Sequence, residues 1–286
     1  MNESGSLTTA TRPRVRRWRR GAAQAPQYVA LLLVTFVFLF PLLYLLNVAL
    51  KTPQSYLFDP TGFTKSLDFA NFSDAWTRGN FAHYFGNTIL YTVCATAIGV
   101  LSSLLVALPI SRGYVRWSNV WYTLFVVSLF LPSGLIPQFQ LILHLHLYNT
   151  QLGYILVTSG LGIGPFMIIG YLRSIPRELD EAASIDGCGY LRYNLLMLPP
   201  LIKPILVTAA LLQAIGVWND IIGPTIYLSS PGYFPVALGL FTFYGQYGND
   251  WTVLAAAVLI VAAPLVALFI FLQRYFMEGA TAGAIK

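Results

Sequence analysis

Charge is what this sequence has least of. Only 10% of its 286 residues are Asp, Glu, Lys or Arg, where a soluble domain carries about 25%. With 56% hydrophobic residues, there is too little polar side chain to clothe a soluble globule. The shortage excludes a soluble enzyme and a disordered chain, and two cysteines are too few for a disulfide scaffold. What remains is an integral membrane protein with several spans. Cys94 lies in an apolar stretch and Cys188 in a polar one, so they belong at different depths and are not expected to pair. Neither has a second Cys or His at metal-ligand spacing.

Chemical machinery is scarce too. The sequence holds no P-loop, no H-E-x-x-H and no Ser/His/Asp grouping at a common depth, so it reads as neither a nucleotide hydrolase nor another enzyme, with no cofactor of its own. The centres of its apolar runs contain no Asp, Glu, Lys or Arg. Ion-coupled transporters carry such a residue near the midplane. His144 and His146 are two apart, so on a helix they point about 200° from one another and read as interfacial polar residues.

Long charge-free runs are what the sequence does have. Windows at 21–50, 81–111, 117–172, 201–221 and 251–275 are free of charge or carry it only at their ends. The third holds 56 residues, enough for two spans and a tight hairpin near 148–151. The expected spans are therefore about 28–50, 87–110, 119–143, 152–172, 201–221 and 251–275, forming a transmembrane domain over 28–286. Segment 221–249 is broken by Pro224 and by Ser229-Ser230-Pro231-Gly232. It reads as a loop with partly inserted pieces, not a seventh span. Residues 1–27 form a basic tail with Arg12, Arg14, Arg16, Arg17, Arg19 and Arg20. Such a run could bind nucleic acid, but ahead of an apolar segment it reads as a signal holding the N-terminus inside. With six spans and both termini cytoplasmic, fourteen basic residues lie inside and three (Lys51, Lys65, Arg78) outside, the bias that topology requires. Trp18, Trp117, Trp121, Trp218 and Trp251 fall near span ends, as interfacial aromatics should.

The inside loop 173–200 is the most charged stretch after the tail. It predicts a short helix with Ser174 as cap, Pro176 in its first turn, and Glu178, Asp180 and Glu181 toward its positive end. Gly187 is expected to stop the helix at positive φ. Leu179, Ala182, Ala183 and Asp186 share one face at i, i+3, i+4 and i+7. Glu181-Ala182-Ala183, Asp186-Gly187, Leu198-Pro199 and Pro204 follow in an order that resembles the signature loop of binding-protein-dependent ABC importer permeases, in the carbohydrate-uptake branch of the maltose-transporter type. Leu135-Ile136-Pro137, Trp218-Asn219-Asp220, the segment 247–251 and the ending from Gln273 to Lys286 are similar to the same branch. Cys188, Met197 and Met277-Glu278 depart from its usual residues.

The resemblance implies the type I permease fold in a bacterial or archaeal cell membrane. It implies a coupling helix that docks on a cytoplasmic ATPase through Glu181, Ala182, Ala183, Asp186, Gly187 and Pro199. It also implies the partners: a second, homologous permease subunit, two ATPase subunits that use ATP and Mg, and an extracytoplasmic solute-binding protein. Lack of midplane charge suits a neutral sugar. The hydrogen-bonding and aromatic candidates along its pathway are Ser133, Gln138, Gln140, Gln213, Trp218, Asn219, Tyr244 and Gln246. Pro132 and Pro137 would free backbone carbonyls in the third span, tolerable there only against protein or a wet cavity.

Overall fold

The computed structural model describes residues 15–64, 67–132, 134–243 and 250–282. All regular structure among them is helical. In chain order the helices are α1 (Val15–Ala49), α2 (Pro53–Phe58), α3 (Ala70–Arg78), α4 (Phe81–Arg112), α5 (Ser118–Ser128), α6 (Leu135–His144), α7 (Gln151–Thr158), α8 (Gly164–Leu172) and α9 (Glu178–Ile185). After these come α10 (Tyr190–Arg192), a π-helical turn (Tyr193–Met197), α11 (Leu198–Leu201), α12 (Lys203–Trp218), α13 (Ile222–Tyr227), α14 (Val236–Gly239) and α15 (Trp251–Ala282).

Among the described residues three stretches are long and apolar enough to cross a membrane unbroken: Pro26–Ala49 in α1, all of α4, and Trp251–Gln273 in α15. They coincide with the first, second and sixth expected spans. The other three differ from the expectation. In place of a continuous third span stand α5 and α6, separated at 129–134, and in place of the fourth stand α7 and α8, separated at 159–163. Pro132 lacks the N–H that a helix needs, and Gly134 and Pro137 follow it closely. At the second break Gly160, Gly162 and Gly164 cluster, with Gly162 at φ +48°. In place of the fifth stands α12, 16 residues long, bent by 92° from the segment Tyr190–Leu201.

Helix α4 is the spine. Three apolar clusters are threaded along it. At one end Phe81 and Tyr84 pack with Val236, Val253 and Ala256. In the middle Tyr91 and Ala95 meet Tyr154, Ile155 and Tyr227. At the other end Leu104 and Leu108 meet Ile168, Leu172, Leu198 and Ile202. The α7–α8 connection comes close at Gly99, where a Cβ would stand 3.1 Å from the Ser159 carbonyl. By contrast α1 flanks the bundle with most of its apolar side chains bare.

Within 221–243 no helix exceeds the six residues of α13. The segment folds against the first half of α4, where Asn87 Nδ2 donates to the Gly232 carbonyl at 2.9 Å and the Phe234 carbonyl at 3.0 Å. The turn into α7 falls where the sequence places it. Thr150 Oγ1 caps that helix by accepting from Gly153 N at 3.0 Å, and Asn149 Oδ1 accepts from Ser229 N and Ser230 N at 2.9 Å each.

Both cysteines are free. Trp117, Trp121 and Trp251 are exposed, as interfacial rings should be. Trp218 is not: it is buried, packs on Phe85, and donates its indole N–H to the Val261 carbonyl at 3.2 Å.

Candidate functional site

Two places beside α4 gather polar side chains among apolar neighbours. The first is the end of the helix, at Arg112. Gly113 takes φ +76° and closes the helix, with Tyr114 N donating to the Pro109 carbonyl at 2.9 Å. Arg112 itself is 5% exposed and Asp180, 68 residues away on α9, is 7% exposed. Their side chains form an ion pair, Arg112 Nε to Asp180 Oδ2, at 2.5 Å. Arg112 Nη1 also donates to the Ile175 carbonyl at 2.9 Å. Tyr193 donates its hydroxyl to Asp180 Oδ1. Burial first, and then that hydrogen bond, hold the Tyr193 hydroxyl above its ordinary pKa, so it remains a donor. Nearby, Tyr190 donates to the Leu105 carbonyl at 2.8 Å. A buried charge is tolerable when paired and hydrogen-bonded: Arg112 Nη2 donates to Asp180 Oδ1 at 3.4 Å, while Nε and Oδ2 meet as an ion pair without hydrogen-bond geometry. Together they fasten α9 to the end of α4.

Helix α9 turns its Asp180–Ala183 face toward the bundle and leaves Glu181, Ala182, Asp186 and Gly187 exposed. Ala183 thus parts from the expected face, because Asp180 draws its side of the helix inward. Pro199 is half-buried. Ser174 does not cap α9. Its hydroxyl donates to the Tyr171 carbonyl at the end of α8, and α9 begins four residues later. The C-terminal end follows the sequence reading: Gly187 has φ +72°, Gly187 N reaches the Ser184 carbonyl at 3.1 Å, and Cys188 N the Ala183 carbonyl at 2.9 Å. That pair of bonds is a Schellman motif. Ile185, 86% exposed, adds an apolar side chain to the outer face that the motif alone does not single out.

The second place is a cavity of about 460 Å³ beside the two helix breaks. Its lining includes Leu135, Thr158, Gly160, Gln213, Asp220 and Tyr227. The breaks leave backbone carbonyls without helical partners, and side chains answer them. Gln213 Nε2 donates to the Thr158 carbonyl at 2.7 Å and the Gly160 carbonyl at 3.4 Å. Tyr227 donates its hydroxyl to Gln138 Oε1 at 3.2 Å. Asp220 accepts from the Tyr154 hydroxyl and from Gly223 N, both at 2.9 Å. The wall therefore offers hydroxyls, amides, carbonyls and one carboxylate, a set suited to hydrogen-bonding a polyol.

The sequence candidates divide around this cavity. Gln213 lines it and Gln138 reaches its edge through Tyr227. Gln140, two residues on, is exposed on another face of α6. Trp218 is taken into the core as described. Asn219 Nδ2 donates to the Ile215 carbonyl of its own helix at 3.0 Å. Ser133, Tyr244 and Gln246 lie outside the described residues. Asp220 and Tyr227 are the additions. A search for charge at span centres passes over Asp220, which sits at the end of the fifth apolar run.

Comparison with known proteins bears on the chain as a whole. The family model described as "Binding-protein-dependent transport system inner membrane component" matches residues 5–279. The chain is 32% identical over 263 residues to the arabinooligosaccharides transport system permease protein AraQ of Halalkalibacterium halodurans, covering 88% of this chain and 93% of that one. It is 29% identical over 251 residues to the melibiose/raffinose/stachyose import permease protein MelC of Bacillus subtilis, covering 86% and 91%. A chain in the crystal structure of a bacterial ABC transporter involved in the import of the acidic polysaccharide alginate superposes with a TM-score of 0.78 at 22% identity, over 94% of this chain and all of that one.

Proposed function

This chain belongs to the family of binding-protein-dependent transport system inner membrane components, and from that premise we propose that it is the sugar-conducting permease subunit of an ATP-driven importer. As a family member it is a multi-pass membrane transport permease, not an enzyme. The rest is our reading. It has six spans with both termini cytoplasmic, and each broken helix pair counts as one span. A second, homologous permease completes the pathway, two ATPase subunits use ATP and Mg, and an extracytoplasmic binding protein delivers the solute.

The observation that carries this reading is the link between the two polar places. Helix α4 runs unbroken from the Arg112–Asp180 pair to the wall that meets the breaks at Gly99. In the proposed mechanism, Glu181, Ala182, Asp186 and Gly187 contact the ATPase, with Ala183 and Pro199 behind them. Closure of the ATPase dimer displaces α9. The buried ion pair carries that displacement into α4, and the halves α5, α6, α7 and α8 shift at their breaks, opening the cavity to one side and then the other. Gln138 and Gln213 supply hydrogen bonds to the passing solute, and Gln140, Trp218, Asn219, Tyr244 and Gln246 are kept as further candidates along the route.

The cargo is a neutral mono- or oligosaccharide. Both relatives named above are permeases for neutral oligosaccharides by name. Asp220 in the cavity wall would repel an acidic chain of the kind carried by the structural neighbour. Two experiments test the reading. In uptake assays with the whole transporter, neutral sugars are carried and uronates are not; transport of charged solutes with no sugar overturns it. For the topology, single cysteines at positions 6, 65, 118 and 286 are placed in a background lacking Cys94 and Cys188. In intact cells an impermeant thiol reagent labels position 65 alone, and labelling at 286 rules out six spans.

A further inference from the structure

A second, larger cleft of about 810 Å³ opens between the α4–α5 turn and the α8–α9 connection. Its lining includes Ile110, Trp117, Asn119, Arg173 and Arg177. We propose that this cleft binds the phosphate headgroup of an anionic phospholipid from the inner leaflet. The inference rests on the topology proposed above, which puts this end of the bundle inside.

Charge is the first argument. Among the described residues neither Arg173 nor Arg177 forms an ion pair, whereas Arg112, close by, is neutralised by Asp180. Two guanidiniums thus face one cleft uncompensated, in a chain that has few charges to place. Arg173 lies over the Tyr122 ring at 4.3 Å, which fixes the side chain without cancelling its charge. Guanidinium forks match phosphate oxygens, and basic clefts between helices on the cytoplasmic side suit lipid headgroups.

Surroundings decide between a lipid and a soluble phosphate. Trp117, which lines the cleft, is 68% exposed, and its near neighbours in the chain Tyr114 and Trp121 are 62% and 49% exposed, exposed aromatics of the kind found where protein meets headgroups. Ile110 supplies an apolar wall. Arg177 immediately precedes α9, so a headgroup held there steadies the start of the coupling helix. Anionic lipid should therefore raise substrate-stimulated ATP hydrolysis as well as bind.

The test uses the complete transporter in nanodiscs of phosphatidylcholine with or without phosphatidylglycerol. Native mass spectrometry reads retained lipid, and ATPase assays read stimulation. Wild type retains phosphatidylglycerol over phosphatidylcholine and is stimulated by it. Arg173→Gln with Arg177→Gln lowers retention roughly thirtyfold, the loss of two interfacial cations, while Arg173→Lys with Arg177→Lys keeps most of it and controls for folding. Equal retention by wild type and the Gln pair overturns the proposal. So does inorganic phosphate that displaces the lipid and stimulates in pure phosphatidylcholine, which would make the ligand soluble. Absence of any headgroup effect alongside normal sugar uptake and the expected thiol labelling removes this inference alone. Labelling of position 118 from outside removes the topology with it.

Discussion

Around Arg112 the chain fastens α4 to its neighbours with a buried ion pair; roughly 20 Å back along the same helix, around Gly99, it meets them through glycine and neutral amides. The first junction is strong and all-or-none, because separating its charges leaves one stranded in an apolar cluster. The second is made of single neutral bonds, each worth little net, and these can be exchanged for a solute's hydroxyls at small cost. A transporter needs one joint that transmits and another that yields, and the two kinds of polar contact suit those two tasks.

Four substitutions, each but one with a control variant, press on that contrast. Arg112→Ala strands Asp180 and should cost about 3–5 kcal/mol, seen as a lowered Tm of the purified complex and lost uptake. Replacing both partners (Arg112→Met with Asp180→Leu) should recover most of the stability; full recovery of coupled uptake would show that charge is not what transmits. Tyr193→Phe removes one hydrogen bond to a charged group and should cost about 1.5–3 kcal/mol, read in the same melt, with weaker coupling. Gln213→Leu leaves the Thr158 carbonyl unanswered and should cost about 1–3 kcal/mol. Its effect falls on transport affinity, with the basal ATPase unchanged, and an equal loss from Gln140→Leu would dissolve the assignment of the cavity. Gly187→Val is the smallest in stability, about 1–2 kcal/mol of backbone strain, since nothing lies within 4 Å of an added Cβ. Uptake should nevertheless fall, because the end of α9 is distorted. Gly187→Asn, which tolerates positive φ, should be milder, and an equally poor Asn variant would point to contact rather than backbone.

How much of this was legible beforehand follows the same division. Local features read well. The three unbroken helices, the turn near 148–151 and the positive φ of Gly187 depend on neighbours in sequence, and they stand as expected. The interrupted pairs α5/α6 and α7/α8 were hidden, because an apolar run has the same hydropathy whether or not its helix is continuous. Only Pro132, Gly134 and the glycines at 160, 162 and 164 mark the breaks. The Arg112–Asp180 pair joins two residues 68 apart, and no spacing rule connects them. Trp218 reads as interfacial from its place at a span end, but α15 covers it. Ser174 looked like a cap by type, yet the carbonyl at the end of α8 claimed its hydroxyl first.

The unbroken run of α4 also sets a mechanical ratio. From Gly99, the helix extends 18 residues to Phe81 and 13 to Arg112, arms of about 27 and about 20 Å. A rigid rod rocking about Gly99 moves its ends in opposite senses, the longer arm travelling about 1.4 times as far. A push of a few ångström at the ion pair is thus both reversed in sign and enlarged at the far end, where His83 and Asn87 grip the Gly232 carbonyl. In the proposed mechanism, that lever geometry drives the two mouths of the pathway out of phase.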